Sequence, residues 1–439
     1  MFKDADGVGL GAPARPFASS AGGGFGVDVV PEPSFAVELV DSLVPHRGLG
    51  SRTPTYARTT SIVIPCFAAG AVAGDPLLWI EVPANEATFW GARRVSAGVW
   101  SRFYADGSAI PRSICLGYYE DVSSRAQILN SAKVRDLTDG AYWVASSVTV
   151  AKDAVGADGV AASASTLTAT GPNGTVLRTV TAAAALRRFF CLVRRKTGTG
   201  TILLKQSGTT VDITSLINSS TYTMVSVRDS ILNVQVGFQI ATSGDAIEVD
   251  YCNFILSTVE DYGCPIGVGV GTSTGGKVTY PQSGNAEATI QRGTIACRAM
   301  RKFVAGVGRT VVQVGKQSAP QDHVAELANG DSTNYRVRGT VFSNTGAREL
   351  ESLVAGGLQY DVWIRYGMRW DMATPYGDAW KDAEFGSPDV AFGSAVNGSG
   401  VIAVQGPSFT PLPGGSQGVV TDVRVWPVKL RDAHVSGGI

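Results

Sequence analysis

The strongest constraint in this chain is a two-residue alternation of apolar and polar side chains that recurs in short stretches. Between 233 and 241, Val234, Val236, Phe238 and Ile240 alternate with Asn233, Gln235, Gly237 and Gln239. A strand with one buried face has this period, because successive side chains point to opposite sides of the pleat. Ile247, Val249 and Tyr251 repeat it against Glu248 and Asp250. Further strands are expected at 142–150, 176–182, 188–194, 201–205, 209–213 and 222–227, separated by turn sequences such as KTGTG, QSGTT and TSGD. Short strands at this spacing make an antiparallel sandwich over 121–260.

The alternation resumes further on. Tyr335, Val337 and Val341 alternate with Arg336 and Arg338, and Val362, Ile364, Tyr366, Met368 and Trp370 with Arg365, Gly367 and Arg369. Val423 and Val425 are set against Arg424 and Trp426. A second, jelly-roll-like sandwich over 291–439 fits these strands. Before the first sandwich, 51–120 carries short apolar runs at 61–67, 77–82 and 89–95 and reads as a small β module. Residues 1–50 are broken by AGGGFG, VPEPS and VPHRGLG into an extended arm with one short strand. Such an arm offsets its ordering entropy only by lying on another domain or subunit. The Gly- and Ser-rich stretch 261–290 reads as a connector. Helix is suggested only at 347–354 and 430–434. The fold class is therefore all-β.

Charge narrows the function. The 37 Lys and Arg cancel the 37 Asp and Glu, so no global field gathers phosphates or an anionic membrane, and a nucleic-acid partner is disfavoured. MFKDADGVGLGAPARP has no apolar core of a secretory signal, and no run approaches eighteen apolar residues, so a soluble product made in a cytosol without membrane insertion is expected. Cys66, Cys115, Cys191, Cys252, Cys264 and Cys297 form no C-x-x-C pair and read as buried thiols rather than a zinc site or disulfide framework.

Reactive constellations are sparse. A nucleophilic hydrolase needs a base held against its nucleophile, and His46, His323 and His434 each lack a local nucleophile signature. A glycosidase needs two opposed carboxylates; Glu81, Glu86, Glu120, Asp121, Asp371, Asp378, Asp382 and Glu384 are available, and nothing in the sequence marks a tuned pair. Gly267-Val-Gly269-Val-Gly271 looks like a phosphate-cradling loop, but no helix pattern follows it. No catalytic residue, cofactor or metal is expected.

One cluster has binding content. Trp363, Tyr366, Trp370, Tyr376 and Trp380 are interleaved with Arg365, Arg369, Asp371, Asp378 and Asp382. Aromatic faces stack on sugar rings while Asp and Arg satisfy hydroxyls. Alternation turns Tyr366 and Trp370 inward and puts Trp363 on the opposite face with Arg365, while Trp380 reads as part of a polar loop; Trp363, Arg365, Trp380, Asp378 and Asp382 are the expected residues of a glycan site or subunit interface. Asp371, Asp378 and Asp382 also raise a Ca²⁺ site, without the D-x-D-x-D-G loop spacing.

Three segments carry a resemblance. Tyr56-Ala-Arg-Thr-Thr-Ser61, Asn85-Glu-Ala-Thr-Phe-Trp-Gly-Ala-Arg-Arg-Val95 and Leu116-Gly-Tyr-Tyr-Glu120, in this order, resemble segments of tailed-bacteriophage virion proteins that precede a carbohydrate-binding-module-like sandwich. Thr88 stands where those proteins usually have Arg, and Asp121-Val-Ser-Ser-Arg125 replaces a usual Gly-Ala-Arg-Thr-Asn. Val423-Arg-Val-Trp-Pro427 with Leu430-Arg-Asp-Ala-His434 is similar to the last strand and short helix of concanavalin- or laminin-G-like domains. The resemblance implies a non-enzymatic protein of the virion surface: a tail or head appendage, fibre or spike that contacts host polysaccharide. The alternatives are a head decoration without sugar binding, and a polysaccharide depolymerase. It further implies other virion proteins as partners and a homo-oligomer, with a trimer favoured, which would cover the arm.

Overall fold

A computed structural model describes residues 31–45, 47, 54–58, 61–114, 117–120, 125–127, 134–181, 185–231 and 234–256, then a series of strands between 264 and 426, and residues 427–431 and 434. The 1–30 part of the expected arm, His46 and the 267–270 part of the glycine loop lie outside these residues. The described chain is all-β and its strand pairings are antiparallel. Helix among the described residues is confined to a 3-10 turn at Arg112–Ile114 and one helical position at His434. The helix expected at 347–354 is instead the strand Arg348–Val354. Its Leu350, Leu353 and Val354 mimic a helical stripe, but the segment is bonded on both sides, to Val337–Phe342 and Ser394–Asn397, and ladder pairing overrides local propensity.

The sandwich between 144 and 256 follows the alternation closely. One sheet has the order Val144–Ser146, Gly174–Val180, Val234–Ile240, Ile202–Gln206, Thr209–Asp212. The other runs Val148–Ala154, Ala164–Ala169, Ala246–Leu256, Ala185–Thr197, Thr223–Ile231. Val176, Leu204, Val236, Phe238, Phe189, Val227 and Phe254 meet in one core with Trp143. Fully burying each large apolar side chain contributes about 1.5–3 kcal/mol. The expected 142–150 strand is broken: Ser147 sits at φ 55°, and the chain there leaves the first sheet and enters the second. Gly237 has φ 149°, and a Cβ on it would lie 2.0 Å from the Val176 carbonyl oxygen, so this strand interior requires glycine.

Around this sandwich the remaining segments interleave. An eight-stranded sheet has the order Ala391–Phe392, Tyr376–Ala383, Trp363–Asp371, Arg292–Arg301, Gly418–Trp426, Gly117–Glu120, Phe89–Trp90, with Phe35–Glu38 also on Gly418–Trp426. Strands from 33–120 and from 291–430 thus share one sheet, where the sequence suggests separate modules. The strand at 35–38 is integral to it: Phe35, Ala36 and Val37 are buried. A second eight-stranded sheet, from Thr55–Ala57 and Lys277–Pro281 to Arg348–Val354 and Ser394–Asn397, packs against the first. Phe35 meets Tyr280 edge-on at 5.2 Å between the two sheets. A three-stranded sheet of Cys264–Ile266, Ser61–Cys66 and Leu78–Val82 ties this assembly to the 144–256 sandwich, with Val63 in the sandwich core and the Trp79 backbone N–H donating to the Ala157 carbonyl.

Candidate binding surface

The register of the Trp363–Asp371 strand defines two faces. Ile364, Met368 and Trp370 oppose Ala299, Ile295 and Gly293 and belong to the apolar core. On the other face, one transverse row runs Asp382, Arg365, Arg298, Asp422, Glu38 across five strands. The next row is Trp380, Gly367, Ala296, Arg424, Ala36, and the next Asp378, Arg369, Thr294, Trp426. Alternation therefore brings the expected site residues onto one face.

The face is not presented as expected. Trp363 is 6% exposed and Trp380 1%, so neither offers a ring to a sugar, contrary to the exposure expected of both, and Trp380 lies in the strand Tyr376–Ala383 rather than in a polar loop. Trp363 lies beside Met300 with the Arg298 guanidinium 4.9 Å from its ring centre. Trp380 lies over Gly367, where a Cβ would come within 2.4 Å of its ring; Gly293 accommodates Trp370 in the same way on the core face. These glycines are what let broad indoles pack flat on the sheet. Trp370 is buried, as its alternation implies. Arg365 is half-buried, and for Asp382 the description is limited to its backbone pairing with Arg365.

Asp378 is committed to an ion pair. Arg369 donates from Nε and Nη2 to its two carboxylate oxygens at 2.7 and 2.8 Å, with both residues buried. Arg369 Nη1 donates to the Leu430 carbonyl at 2.7 Å, and Thr294 Oγ1 donates to the Val428 carbonyl and accepts from the Leu430 N–H. The 428–430 segment is thus strapped across this face, a contact the alternation did not reveal. Asp378 and Asp382 are four residues apart on a strand, about 13 Å, too far to share one Ca²⁺ with ligand distances near 2.5 Å.

The three segments that carry the virion resemblance converge into one clasp. Arg58, 3% exposed, donates from Nη2 to the carbonyls of Val82, Pro83 and Glu86 at 3.1, 2.7 and 3.1 Å, and its own carbonyl accepts from the Asn85 N–H. Glu86 accepts two bonds from Arg94, which spends the one carboxylate of this turn on a structural pair. Thr88 and Tyr119 bond reciprocally: the Thr88 hydroxyl donates to the Tyr119 carbonyl, and the Tyr119 N–H to the Thr88 carbonyl. A Cβ on Gly117 would meet Val419 Cγ1 at 2.3 Å, so the third segment needs glycine to approach the 418–426 strand. The motif residues therefore build architecture.

Other charged groups are similarly engaged. Arg135 bridges Asp250 and Asp158 and lies 4.2 Å over the Tyr251 ring, and Asp250 also accepts from the Ala157 N–H. Burial pushes against ionisation of Asp158, but the Arg135 hydrogen bond and charge outweigh it and hold this carboxyl below its ordinary value. Arg194 pairs with Glu248, and Arg102 with Glu38 and Asp41. Cys66, Cys191, Cys252 and Cys297 are buried as thiols, and burial drives the Cys66 thiol far above its usual range. No group of three metal-ligating side chains occurs among the described residues, and no described helix is long and apolar enough to cross a membrane.

No family model and no curated protein matches this chain. Among solved structures it is similar to the tail fibre protein gp63.1 from E. coli phage G7C, at 7% identity and a TM-score of 0.21, over 68% of this chain and 41% of that one. The chain thus spans less than half the length of that protein.

Proposed function

We propose that this chain is a non-enzymatic structural component at the surface of a tailed phage or phage-like particle, a tail or head appendage that contacts host surface glycans. The observation that carries this reading is the clasp of Arg58, Glu86, Arg94, Thr88, Gly117 and Tyr119. The segments that resemble virion proteins are those that lock the 61–120 strands into the large sheet. In this reading the clasped region faces other virion proteins, the 144–256 sandwich faces outward, and repetition in a homo-oligomer, most simply a trimer, turns weak sugar contacts into avidity. The test is imaging of intact particles carrying a labelled copy of this chain. Label at the tail tip or on head appendages supports the reading, and absence of the chain from purified particles refutes it.

Burial of Trp363 and Trp380 favours a second reading, a decoration protein without sugar affinity, because it removes the aromatic platform from the polar sheet face. Saturating occupancy of the particle together with no binding to any host polysaccharide would select it.

A further inference from the structure

The Gly174–Val180 strand carries one residue out of keeping with its face. Val176, Arg178 and Val180 point the same way, opposite Phe238, Val236 and Val234, into the apolar interior of the sandwich. Arg178 is only 8% exposed, its Nη1 is fully buried without a hydrogen-bond partner, and no carboxylate among the described residues pairs with it. Buried Arg58 and Arg369, by contrast, hold a set of carbonyls and a carboxylate. A buried cation without a carboxylate is costly, and its persistence calls for an explanation such as a functional role.

Its surroundings say which. The guanidinium carbon lies 4.8 Å from the ring centre of Tyr142, which is itself 37% exposed. Tyr142 is set by the Asp139 carbonyl, which accepts the N–H groups of both Tyr142 and Trp143, and by the Asp139 carboxylate, which accepts from the Ala141 N–H. A planar guanidinium favours a planar oxyanion bound through two parallel N–H groups. The exposed phenol ring beside it favours a ligand that also brings an apolar ring face, which a free inorganic anion lacks. Burial lowers the Arg178 pKa, and an incoming anion would reverse that effect.

We infer that Arg178 and Tyr142 form the recognition site for the carboxylate and ring face of an acidic saccharide. The inference deepens the glycan-contact reading by naming the substrate class and rests on that reading for its biological setting.

The experiment is calorimetric titration of the full chain with oligogalacturonate, with the same oligomer fully methyl-esterified, with a neutral dextran oligomer and with sodium acetate and phosphate. The variants are Arg178→Met, Arg178→Lys and Tyr142→Ala. Met fills similar space without the charge, and melting curves of each variant establish that it folds. Binding of the acidic oligomer alone, weakened at least tenfold by Arg178→Met and by Tyr142→Ala and less by Arg178→Lys, is the expected result. Equal affinity in folded Arg178→Met, equal binding of esterified or neutral oligomers, binding of acetate or phosphate as tight as the oligomer, or no binding by the wild type would each overturn the inference. The titration uses free protein, so its failure leaves the particle location standing, while absence from particles removes that role without touching the site.

Discussion

Removing the Asp378 carboxylate should be among the most damaging single changes in the large sheet. Asp378→Ala removes two charge-assisted bonds from the Arg369 guanidinium, which is 2% exposed, and leaves it holding the Leu430 carbonyl with no carboxylate beside it. Breaking a buried pair from one side costs about 3–5 kcal/mol, mostly because a desolvated charge is left uncompensated. At 1.4 kcal/mol per decade this is roughly a 10²- to 10³-fold or greater loss in the folded-to-unfolded ratio. The double change Arg369→Met with Asp378→Leu removes both charges and should recover most of that loss, since apolar replacement of a whole buried pair is often close to neutral. Urea unfolding followed by tryptophan fluorescence reports on it directly, as Trp380 and Trp426 lie on the same face. An Asp378→Ala cost under about 1 kcal/mol, or a double variant as unstable as the single one, would refute the reasoning.

Three further outcomes follow from geometry. Gly367→Ala places a Cβ 2.4 Å from both the Ile295 carbonyl oxygen and the Trp380 ring and should destabilise by about 1–3 kcal/mol, whereas Gly208→Ala, with open space around it, should stay within about 0.5 kcal/mol in the same denaturation assay. The Asp158 carboxyl is held below its ordinary 3.8, so its stabilisation is present above that pH and is lost as pH falls through the lower folded value. Asp158→Asn should therefore differ from the wild type by a constant amount above pH 4 and converge with it in stronger acid; a gap that widens on acidification contradicts this assignment. Arg178→Met removes a buried charge at the loss of one cation–π contact and should raise stability by about 1–3 kcal/mol, seen as a higher melting temperature, and an unchanged or lower one would mean that the cation is satisfied.

The strands were legible wherever large apolar residues alternate, as in Val234–Ile240 and the even positions of Trp363–Asp371. They were hidden where both faces are buried. Ala164–Ala169, ASTLTA, has small and hydroxylated side chains packed on either side, and its sequence shows no period. The site was harder to read for a related reason. Alternation assigns Trp363 and Arg365 to one face, but the strand pairing that adds Asp378, Trp380 and Asp382 to it, and the segment that covers it, are long-range facts, and the strap at 428–430 is made by Arg369 and Thr294 from far away in the chain. The clasp residues appeared only as a motif, since carbonyl acceptors such as those of Val82 and Pro83 leave no trace in side-chain identity. Arg178 did leave one: in GTVLRTV it occupies the apolar phase of its strand.

The place of the Gly418–Trp426 strand has a consequence for vectorial synthesis. It is the shared neighbour of Phe35–Glu38, Gly117–Glu120 and Arg292–Arg301, so those earlier segments have no mate on that side until the ribosome has passed residue 426. Translation finishes the inner sandwich first, while Phe35, Val37, Tyr118 and Tyr119 wait uncovered. A message stopped before codon 418 should consequently yield an insoluble product rather than a shorter working one, and recovery of that fragment as soluble, folded protein would contradict this order of events.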